Sequence, residues 1–455
     1  VCGEAGVDGR LSASIGKAFP VGCGVTLQAQ APPRIIPGEH GMNASVLAEI
    51  DDIAQEGIRA GAYPGCQIVV LKDGSRVYDK CFGTHTGSKG AGSLPVRPTD
   101  VYDIASLTKS VATVLAVMKL YDKGRISLTD RVADYLPFLQ DTDKRNITVR
   151  QLLLHESGLP STILFYQKAI DEESFTGPLF RGVRDARHTA RIAARTWANP
   201  DFRFRKGVTS PVRTNSCTWQ IADELWLNPA FKRDYLQAIA EAPLLSRRYR
   251  YSCVGFILLQ QLVEQRAGMP MDEFLAREFY RPMGLTRTGY LPLRFLERDE
   301  IIPSSVDPFV RKDTLQGFVH DESAAFLGGV SGNAGLFSTA EEVARLCQML
   351  LNGGQLDGKR YLSGETCRLF TTTVSRISRR ALGFDKPDKR NPRRSPCALA
   401  TPASVYGHTG FTGTCAWIDP DNNLVYVFLS NRTYPQVWNN KLASLDIRTR
   451  IQEVI

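Results

Sequence analysis

Apolar residues at helical spacing predict one helix near each end of the chain. From residue 43 onward they keep one face of a helix apolar, and the glycines at 57 and 61 favour an end there. The residues that set this pattern are Val46, Leu47, Ile50, Ile53 and Ile58. A last helix is predicted over residues 437–455. We therefore expect helices at both ends of the packed part of the chain.

Two β-hairpins are predicted next to these helices. Residues 66–71 and 76–81 are rich in strand-forming side chains and flank Asp73-Gly74, a strong signal for a tight turn. Residues 413–418 and 424–429 form a second such pair around a polar turn. Both hairpins should belong to one antiparallel sheet.

Helices and strands at both ends, with a long helical middle between them, predict an α+β fold. We expect a sheet domain interrupted by a mostly helical insertion, with the sheet part at about 41–105 and 385–455 and the helical part at about 106–384. Residues 1–40 are rich in Gly, Pro and Ala without periodicity, which is typical of an extended arm or linker.

Length and composition are those of an ordinary soluble globular protein, with 455 residues, 43% hydrophobic and 23% charged. No apolar run reaches the roughly 18 to 20 residues of a membrane span, so no membrane-spanning helix is expected. The sequence lacks a signal peptide and does not begin with Met, which indicates a processed product or a part of a longer protein.

The ten cysteines and the net charge of +9 indicate neither a metal site nor nucleic-acid binding. The cysteines form no CxxC pairs and have no histidines at ligand spacing, so most should be buried small side chains. The alternative is that one or two pairs of them form disulfides. Basic residues cluster between 376 and 394, but few aromatics are interleaved and no nucleic-acid module occurs, so we expect a solvated loop. No metal, cofactor or nucleic-acid partner is predicted.

A candidate nucleophile lies where a strongly apolar run begins. Residues 111–120 predict a buried helix that starts near Ser106, and Lys109 lies three positions further along, on the same helix face. The Lys109 ammonium would therefore lie beside the Ser106 hydroxyl, which needs help to act as a nucleophile at neutral pH. The free amides of the first helical turn would stabilise an oxyanion. Alternatively, Ser106 only caps the helix and Lys109 is a solvated charge.

Tyr251 stands directly before an apolar helix that is predicted to reach residue 263, in the sequence Tyr251-Ser252-Cys253. It could serve as a proton acceptor or pack as an amphipathic side chain. His155 ends another predicted helix, over 148–154, and is expected to be structural, with a hydrogen bond to a loop near the site as one option.

The stretch His408-Thr409-Gly410-Phe411 enters the second hairpin. A His and a Thr on a strand edge can hydrogen-bond a substrate carboxylate or carbonyl, and glycines let a substrate approach the strand. The Phe411 amide could complete an oxyanion hole with the amide of Ser106. The alternative is a glycine-rich turn with a surface histidine.

The order of these motifs resembles the serine β-lactamase and penicillin-binding-protein superfamily, in its class C and esterase-like branch. The three signatures, Ser-x-x-Lys, Tyr-Ser-x and His-Thr-Gly, occur in the family's order. Further stretches match at 147–153, 155–160, 282–285 and 328–339. The resemblance covers about residues 44–455.

The resemblance implies a sheet of about five antiparallel strands flanked by helices, with a mostly helical inserted domain and the site at their junction. Ser106 would be the acylated nucleophile. Lys109 and Tyr251 would share the proton transfers, with either of them as the immediate acceptor. His408 and Thr409 would line the strand that holds the substrate.

Two residues depart from the family pattern. Cys253 stands where Asn or Asp is usual, which changes one polar contact to Lys109 or to the substrate. His408 replaces the Lys of true β-lactamases, and a partly charged histidine would anchor a substrate carboxylate weakly and in a pH-dependent way. We therefore expect a serine acyl hydrolase that cleaves esters or D-amino-acid peptides more readily than β-lactams. The alternative is a catalytically silent domain that binds peptidoglycan or peptide.

Residues 9–22 resemble the closing segment of family-three glycoside hydrolases. In that group, some bacterial β-N-acetylhexosaminidases carry a C-terminal lactamase-like domain. The resemblance implies that the chain is the C-terminal part of an exported, cell-wall-active protein, periplasmic or secreted, with a covalently linked glycosidase domain before it.

Overall fold

The computed structural model describes residues 7–11, 14–15, 18–27, 36–87, 93–246, 248–372 and 374–455. The chain divides into two compact units, Val1–Ala44 and Ser45–Ile455. In the first unit, β1 (Val7–Arg10) pairs antiparallel with β2 (Gly24–Leu27). The segment 9–22 lies partly outside the described residues, so its resemblance to a glycosidase terminus stays a prediction.

Eleven α-helices occur in the described ranges. They are α1 (Ala44–Arg59), α2 (Val114–Asp122), α3 (Val149–Leu153), α4 (Lys232–Glu241), α5 (Cys253–Ala267), α6 (Met271–Leu275), α7 (Glu322–Ala325), α8 (Ala340–Leu351), α9 (Gly364–Thr372), α10 (Lys441–Ser444) and α11 (Ile447–Val454). A π-helical turn, Lys109–Thr113, leads directly into α2, and a second one, Ala276–Tyr280, follows α6.

The second unit also contains the remaining strands of the described ranges. They are β3 (Gly65–Lys72), β4 (Ser75–Gly83), β5 (Tyr102–Asp103), β6 (Phe180–Arg181), β7 (Ala190–Ala193), β8 (Thr196–Ala198), β9 (Thr209–Ser210), β10 (Trp219–Ala222), β11 (Leu225–Leu227), β12 (Gly289–Tyr290), β13 (Ser305–Asp307), β14 (Asp313–Leu315), β15 (Leu336–Ser338), β16 (Gln355–Leu356), β17 (Lys359–Arg360), β18 (Tyr406–Gly410), β19 (Thr414–Asp419) and β20 (Leu424–Ser430).

The main sheet has five antiparallel strands in the order β18-β19-β20-β3-β4, which confirms the predicted fold class. Both predicted hairpins form, β3-β4 around Asp73-Gly74 and β19-β20 around the polar turn. Both turn residues have positive φ, 54° for Asp73 and 77° for Gly74, as expected of an Asp-Gly hairpin turn.

Helices cover both faces of this sheet. Val70 pairs with Tyr426 on one side and Tyr78 on the other, so the three side chains share a face. On that face Tyr78 Oη donates to Asp51 of α1 at 2.6 Å, and Tyr426 Oη donates to the Arg448 carbonyl of α11 at 3.2 Å. The opposite face joins the main hydrophobic core, where α8 packs on β3, β19 and β20.

The helical side of the molecule is built around α2 and α5. The apolar run that predicted a helix from Ser106 is helical from Leu107 and contacts α5, α6 and α9. Residues Val254 to Val263 of α5 are all buried, so this part of the helix is enclosed on every side and lies in the core. The first residue of α5, Cys253, is the last residue of the predicted tyrosine motif.

Two regions differ from the prediction. Residues 180–227, within the part expected to be mostly helical, form six short strands in two three-stranded sheets, β6-β8-β7 and β10-β11-β9. The helix predicted over 437–455 is divided into α10 and α11 because Asp446 adopts a left-handed backbone conformation with φ 50°. Neither change affects the main sheet.

Candidate active site

Ser106 follows a backbone turn that is held by a buried carboxylate. Ala105 has a φ of 47°, a left-handed conformation that residues with a Cβ atom rarely adopt. Asp103 accepts the Ala105 amide hydrogen at 2.8 Å and the His320 amide hydrogen at 2.7 Å, and burial raises the pKa of its carboxyl to about 6. Asp103 therefore stabilises the strained turn that presents Ser106.

Lys109 lies beside Ser106, as the spacing predicts. Its Nζ donates to Ser106 Oγ at 3.0 Å, to the Asn333 carbonyl at 2.9 Å and to Cys253 Sγ at 3.5 Å, although the residue is fully buried. Burial lowers the pKa of this ammonium, whereas Cys253 and Tyr251 raise it when they ionise, and the net shift of the Lys109 pKa is upward. Lys109 is thus a charged donor in the resting site.

Tyr251 is enclosed by two cations and a histidine. Lys109 Nζ lies 5.1 Å from the centre of its ring and the Arg380 guanidinium 5.2 Å, while the His155 ring lies 4.6 Å away. His155 Nδ1 accepts the Ser252 amide hydrogen at 3.0 Å, and burial holds the pKa of this imidazole well below its usual range. A neutral His155 therefore positions the tyrosine motif, which is the structural role expected for it.

Cys253 lies at the start of α5 against Lys109, at the position where the resemblance leads us to expect Asn or Asp. Burial raises the pKa of its thiol, so the group is neutral at pH 7. The nine described cysteines, including Cys253, are free thiols, and six of them are buried. This agrees with their prediction as small buried side chains, while Cys2 lies outside the described residues.

The second hairpin places the predicted substrate strand against the nucleophile. A Cβ atom on Gly410 would lie 2.5 Å from the Ile104 carbonyl oxygen and 2.0 Å from Thr414 Oγ1. Thr414 Oγ1 itself donates to the Ile104 carbonyl at 3.0 Å. Gly410 is therefore needed for contact between strand β18 and the segment before Ser106, whereas we had expected its small size to admit substrate. Phe411 follows directly and is 53% exposed at the rim.

His408 differs from the expected partly charged anchor. It is 2% exposed, and burial together with the Arg380 guanidinium lowers the pKa of its imidazole to about 3. Arg380 Nη1 donates to His408 Nε2 at 3.0 Å, and His408 Nδ1 donates to the Thr409 carbonyl at 2.6 Å. The expected charge change near neutral pH is therefore wrong, because burial and, after it, the neighbouring Arg380 lower the pKa of this histidine.

A cleft of about 520 Å³ brings Ser106 and Tyr251 together with the substrate strand. Its charged lining consists of four arginines and one aspartate, and its remaining lining is polar or apolar. The lining residues are Ser106, Tyr251, Arg379, Arg380, Asp385, Pro396, His408, Thr409, Gly410, Phe411, Arg432, Asn440, Leu442, Ala443 and Arg448. A cleft of about 610 Å³ elsewhere, along Phe202, Asp223 and Arg311, contains none of the predicted site residues.

The arginines of this cleft were missed in the sequence. Arg379 and Arg380 belong to the basic stretch that we expected to be a solvated loop, but Arg380 is only 6% exposed. The loop is fixed to the sheet because the Asp385 amide donates to the Gly407 carbonyl at 2.7 Å and the Gly407 amide donates back at 3.0 Å. An acidic residue inside the basic stretch, shortly before the His-Thr-Gly strand, was the available signal.

No group of three or more metal-ligating side chains occurs among the described residues. The described helices also include none that is long and apolar enough to cross a membrane.

The fold and this cluster are those expected of a serine acyl hydrolase, with the candidate site at the junction of a five-stranded sheet and a helical region. Residues 50–446 match the family model described as Beta-lactamase, and the chain belongs to this family. The chain is 30% identical over 423 residues to a "Putative D-alanyl-D-alanine carboxypeptidase" of Escherichia coli (strain K12), covering 88% of this chain and 86% of that protein.

Other relatives and solved structures agree with this assignment. An "N-acetylmuramyl-L-alanine amidase" of Bacillus subtilis (strain 168) is 29% identical over 434 residues, covering 89% of this chain and 85% of the relative. The esterase "EstCE1, a hydrolase with promiscuous acyltransferase activity" shares the fold with a TM-score of 0.61 at 18% identity, covering 90% of this chain and 98% of its own. A penicillin-binding-protein homologue from Caulobacter crescentus has a TM-score of 0.59 at 19% identity, covering 91% and 99%.

Proposed function

We propose that Ser106 is the residue that is acylated and that Tyr251 accepts its proton. The observation that supports this most directly is the 3.0 Å hydrogen bond from Lys109 Nζ to Ser106 Oγ, in a cleft that Tyr251 also lines. A charged Lys109 cannot accept a proton, so it would hold the Ser106 oxygen in place and stabilise negative charge on Tyr251. The amides of Ser106 and Phe411 would bind the oxyanion.

The proposed reaction proceeds in two steps. Ser106 Oγ attacks the carbonyl carbon of the substrate as its proton passes to Tyr251, which would act as a phenolate beside the Lys109 ammonium. The bond to the leaving amine or alcohol breaks as that group takes up the proton from Tyr251. Water then attacks the resulting ester, gives its proton to Tyr251, and the proton returns to Ser106 as the acid leaves.

The proposed substrate is a cell-wall peptide that bears a free carboxylate. Two of the relatives are named for cleavage of such material, one at a D-alanyl-D-alanine bond and one at the amide between N-acetylmuramic acid and L-alanine. The four arginines of the cleft, opposed by one aspartate, favour an anionic group beside the scissile bond. We place the carboxylate near Thr409, whose hydroxyl can donate to it.

One experiment tests the nucleophile. The wild-type protein and Ser106→Ala are incubated with a fluorophosphonate or a penicillin, and the intact masses and peptide maps are compared. We expect an adduct on Ser106 that the variant lacks. The absence of an adduct with every acylating probe would favour the alternative, a silent domain that binds peptidoglycan or peptide.

A second experiment separates the two bonds named by the relatives. A muramyl pentapeptide that ends in D-alanyl-D-alanine is incubated with the wild-type protein and with Ser106→Ala, and the products are identified by mass. Loss of one alanine indicates carboxypeptidase activity, whereas release of the intact peptide indicates amidase activity. We expect the loss of alanine, because that cut places a free carboxylate directly beside the scissile bond.

The location of the protein and a linked glycosidase domain are further parts of the proposal. Cell-wall substrates lie outside the cytoplasm, so we propose a periplasmic or secreted protein. Peptide mapping of the native protein from the exported fraction would test both points. Glycosidase peptides on the same polypeptide would support the linkage, and recovery of the protein only from the cytoplasm would contradict the location.

A further inference from the structure

A small cavity of about 260 Å³ lies apart from the active-site cleft and shares no lining residue with it. Part of its wall comes from strands β10 and β11, in the region that was expected to be helical. Its aromatic lining consists of Trp219, Trp226 and Phe318, and its charged lining consists of Arg213 and Arg294. The described residues of this lining include no aspartate or glutamate. The cavity is therefore both aromatic and positively charged.

Two glycines allow the side chains of this cavity to pack directly on the backbone. A Cβ atom on Gly328 would lie 2.6 to 3.1 Å from Cδ2, Cε3 and Cε2 of Trp219, which are atoms at the middle of the indole ring. The indole therefore lies flat against Gly328. In the same way, a Cβ atom on Gly317 would lie 2.5 Å from Leu293 Cγ. Both glycines have positive φ, 81° and 87°, which favours glycine at these positions.

A third wall residue, Leu291, has a strained backbone. Its φ is 52°, a left-handed conformation that residues with large side chains rarely adopt. In this conformation Leu291 packs so closely on Gly329 that a Cβ atom there would lie 2.5 Å from Leu291 Cδ2. Strain of this kind occurs preferentially at ligand-binding sites, where the surrounding structure maintains it. The shape of the cavity is thus fixed in the absence of a ligand.

The polar groups of the cavity are donors that have no partner in the described part of the chain. This holds for the guanidinium groups of Arg213 and Arg294, which are exposed, and for the indole N–H groups of Trp219 and Trp226. An arginine has donors only, and the same is true of an indole N–H. The cavity therefore offers hydrogen-bond donors and two positive charges to a bound molecule.

The neighbouring Arg298 shows the opposite arrangement. Its guanidinium lies 5.9 Å from the centre of the Phe318 ring, and it pairs with Asp223 at 2.5 Å. The charge of Arg298 is thereby compensated within the protein. The charges of Arg213 and Arg294 lack such a carboxylate, so they favour an anionic ligand.

The chemistry of the lining indicates a sugar acid. The C–H groups of a sugar ring pack on aromatic faces, which carry partial negative charge. The hydroxyl and ring oxygens of a sugar can accept hydrogen bonds from the indole N–H groups, and a carboxylate can accept from the arginines. A flat aromatic acid would leave most of these donors unused. A volume of 260 Å³ equals about nine water molecules at about 30 Å³ each, which suits one sugar ring.

We propose that this cavity binds a single sugar ring that carries a carboxylate. The ring would pack against Trp219 and Trp226, and Arg213 and Arg294 would bind the carboxylate. The cavity is separate from the site at Ser106, so this inference goes beyond the proposed function and does not depend on it.

Equilibrium binding to Ser106→Ala tests the ligand class without any turnover. The probes are N-acetylmuramic acid and N-acetylglucosamine, which share the ring and the acetamido group and differ in the lactyl carboxylate. Benzoate represents an aromatic acid. By calorimetry we expect a Kd of about 1 mM or lower for N-acetylmuramic acid and a Kd at least about tenfold higher for N-acetylglucosamine. Benzoate binding as tightly as the sugar acid would overturn the assignment to sugars, and no binding of the sugar acid at about 10 mM would overturn the site.

NMR of the indole N–H groups locates the bound sugar. The chain has five tryptophans, and Trp→Phe variants identify their signals. We expect N-acetylmuramic acid to shift the signals of Trp219 and Trp226 and to leave those of Trp197, Trp417 and Trp438 unchanged. Binding without a shift at Trp219 or Trp226 would place the sugar elsewhere and would overturn the proposal.

The double variant Arg213→Met/Arg294→Met tests the role of the charges. Both arginines are exposed, so this variant should fold as the wild-type protein does, and Arg390→Met, at an exposed arginine outside the cavity, is the control. We expect the Kd of N-acetylmuramic acid to rise about 10- to 100-fold and that of N-acetylglucosamine to change less than about threefold. An equal rise for both sugars, or the same rise in Arg390→Met, would overturn the role of the two arginines as carboxylate ligands.

Discussion

The two sides of the active-site cleft obtain their positive charge in different ways. On the helical side, Lys109 reaches Ser106 across three residues of one element. On the strand side, the cation is Arg380, which reaches His408 from a loop 28 positions earlier in the chain. The first charge is set by local geometry, whereas the second depends on the folding of a loop onto the sheet.

This difference explains why the sequence predicts the contact on the helical side but not the contact on the strand side. A nucleophile and a lysine at helical spacing predict their own contact. A histidine in place of lysine, taken alone, predicts a weaker and pH-dependent anchor, because its partner is not visible nearby. The state of a motif residue can thus depend on a residue outside the motif, as His408 contacts Arg380.

The largest effect is expected on the helical side, where Lys109→Met and Tyr251→Phe should each lower kcat about 10²- to 10⁴-fold. Lys109 contacts the Ser106 oxygen directly, and Tyr251 is the proposed proton acceptor. Burst kinetics with an ester substrate measure acylation and deacylation separately. Near-full acylation in Tyr251→Phe would move the role of acceptor to Lys109, and near-full rates in Lys109→Met would remove the lysine from the mechanism.

Gly410→Ala should disturb the contact that joins the two sides. The added methyl group would lie 2.5 Å from the Ile104 carbonyl, so the strand and the nucleophile segment must separate. We expect a loss of about 1–3 kcal/mol in the free energy of unfolding and about 10²-fold in kcat/KM. Urea unfolding and ester hydrolysis measure the two effects.

The matched control for this change is Gly182→Ala, at an exposed glycine where an added Cβ atom would lie 3.9 Å from the Arg195 carbonyl oxygen, an ordinary contact distance. It should alter the free energy of unfolding by less than about 0.5 kcal/mol. Equal effects of the two substitutions would show that the close approach at Gly410 is not needed to hold the sheet against the nucleophile.

Much of the fold could be predicted because its signals are local. The Asp73-Gly74 turn and the helical spacing after residue 43 each depend on neighbours within a few positions. Asp103, Asn333 and Arg380 could not be assigned in this way. Their contacts with His320, Lys109 and His408 span 217, 224 and 28 positions, and burial of their polar groups is favourable only once those partners are in place.

The neutral His408 also predicts a loss of stability in acid. The pKa of His408 is lowered to about 3 in the folded protein, against about 6.5 in the unfolded chain, so between these values the unfolded chain binds more protons. Stability that is complete above about pH 6.5 is therefore lost as the pH falls. Each such histidine contributes up to about 1.4 kcal/mol per pH unit.

Urea unfolding of the wild-type protein and of His408→Gln measures this contribution. A glutamine can still accept the hydrogen bond from Arg380 but does not titrate. From about pH 6.5 to about pH 5, the wild-type protein should lose about 2 kcal/mol more than the variant. Identical pH profiles would mean that His408 has the same pKa in the folded protein as in the unfolded chain, and the contrast between the two sides of the cleft would disappear.

The smallest effect is expected from Cys253→Asn, which restores a polar group beside Lys109. The Asn333 Nδ2 group is buried without a well-aligned hydrogen-bond partner in the described part of the chain, and Lys109 contacts the thiol only at 3.5 Å. An asparagine oxygen at position 253 can accept from both groups. We expect kcat to rise about two- to fivefold and the free energy of unfolding to rise by about 0.5–1.5 kcal/mol.

Cys253→Ala is the control, because it removes the thiol without adding an acceptor. If both variants change alike, the thiol only fills space, and the helical side tolerates its departure from the family pattern without the outside partner that the strand side requires.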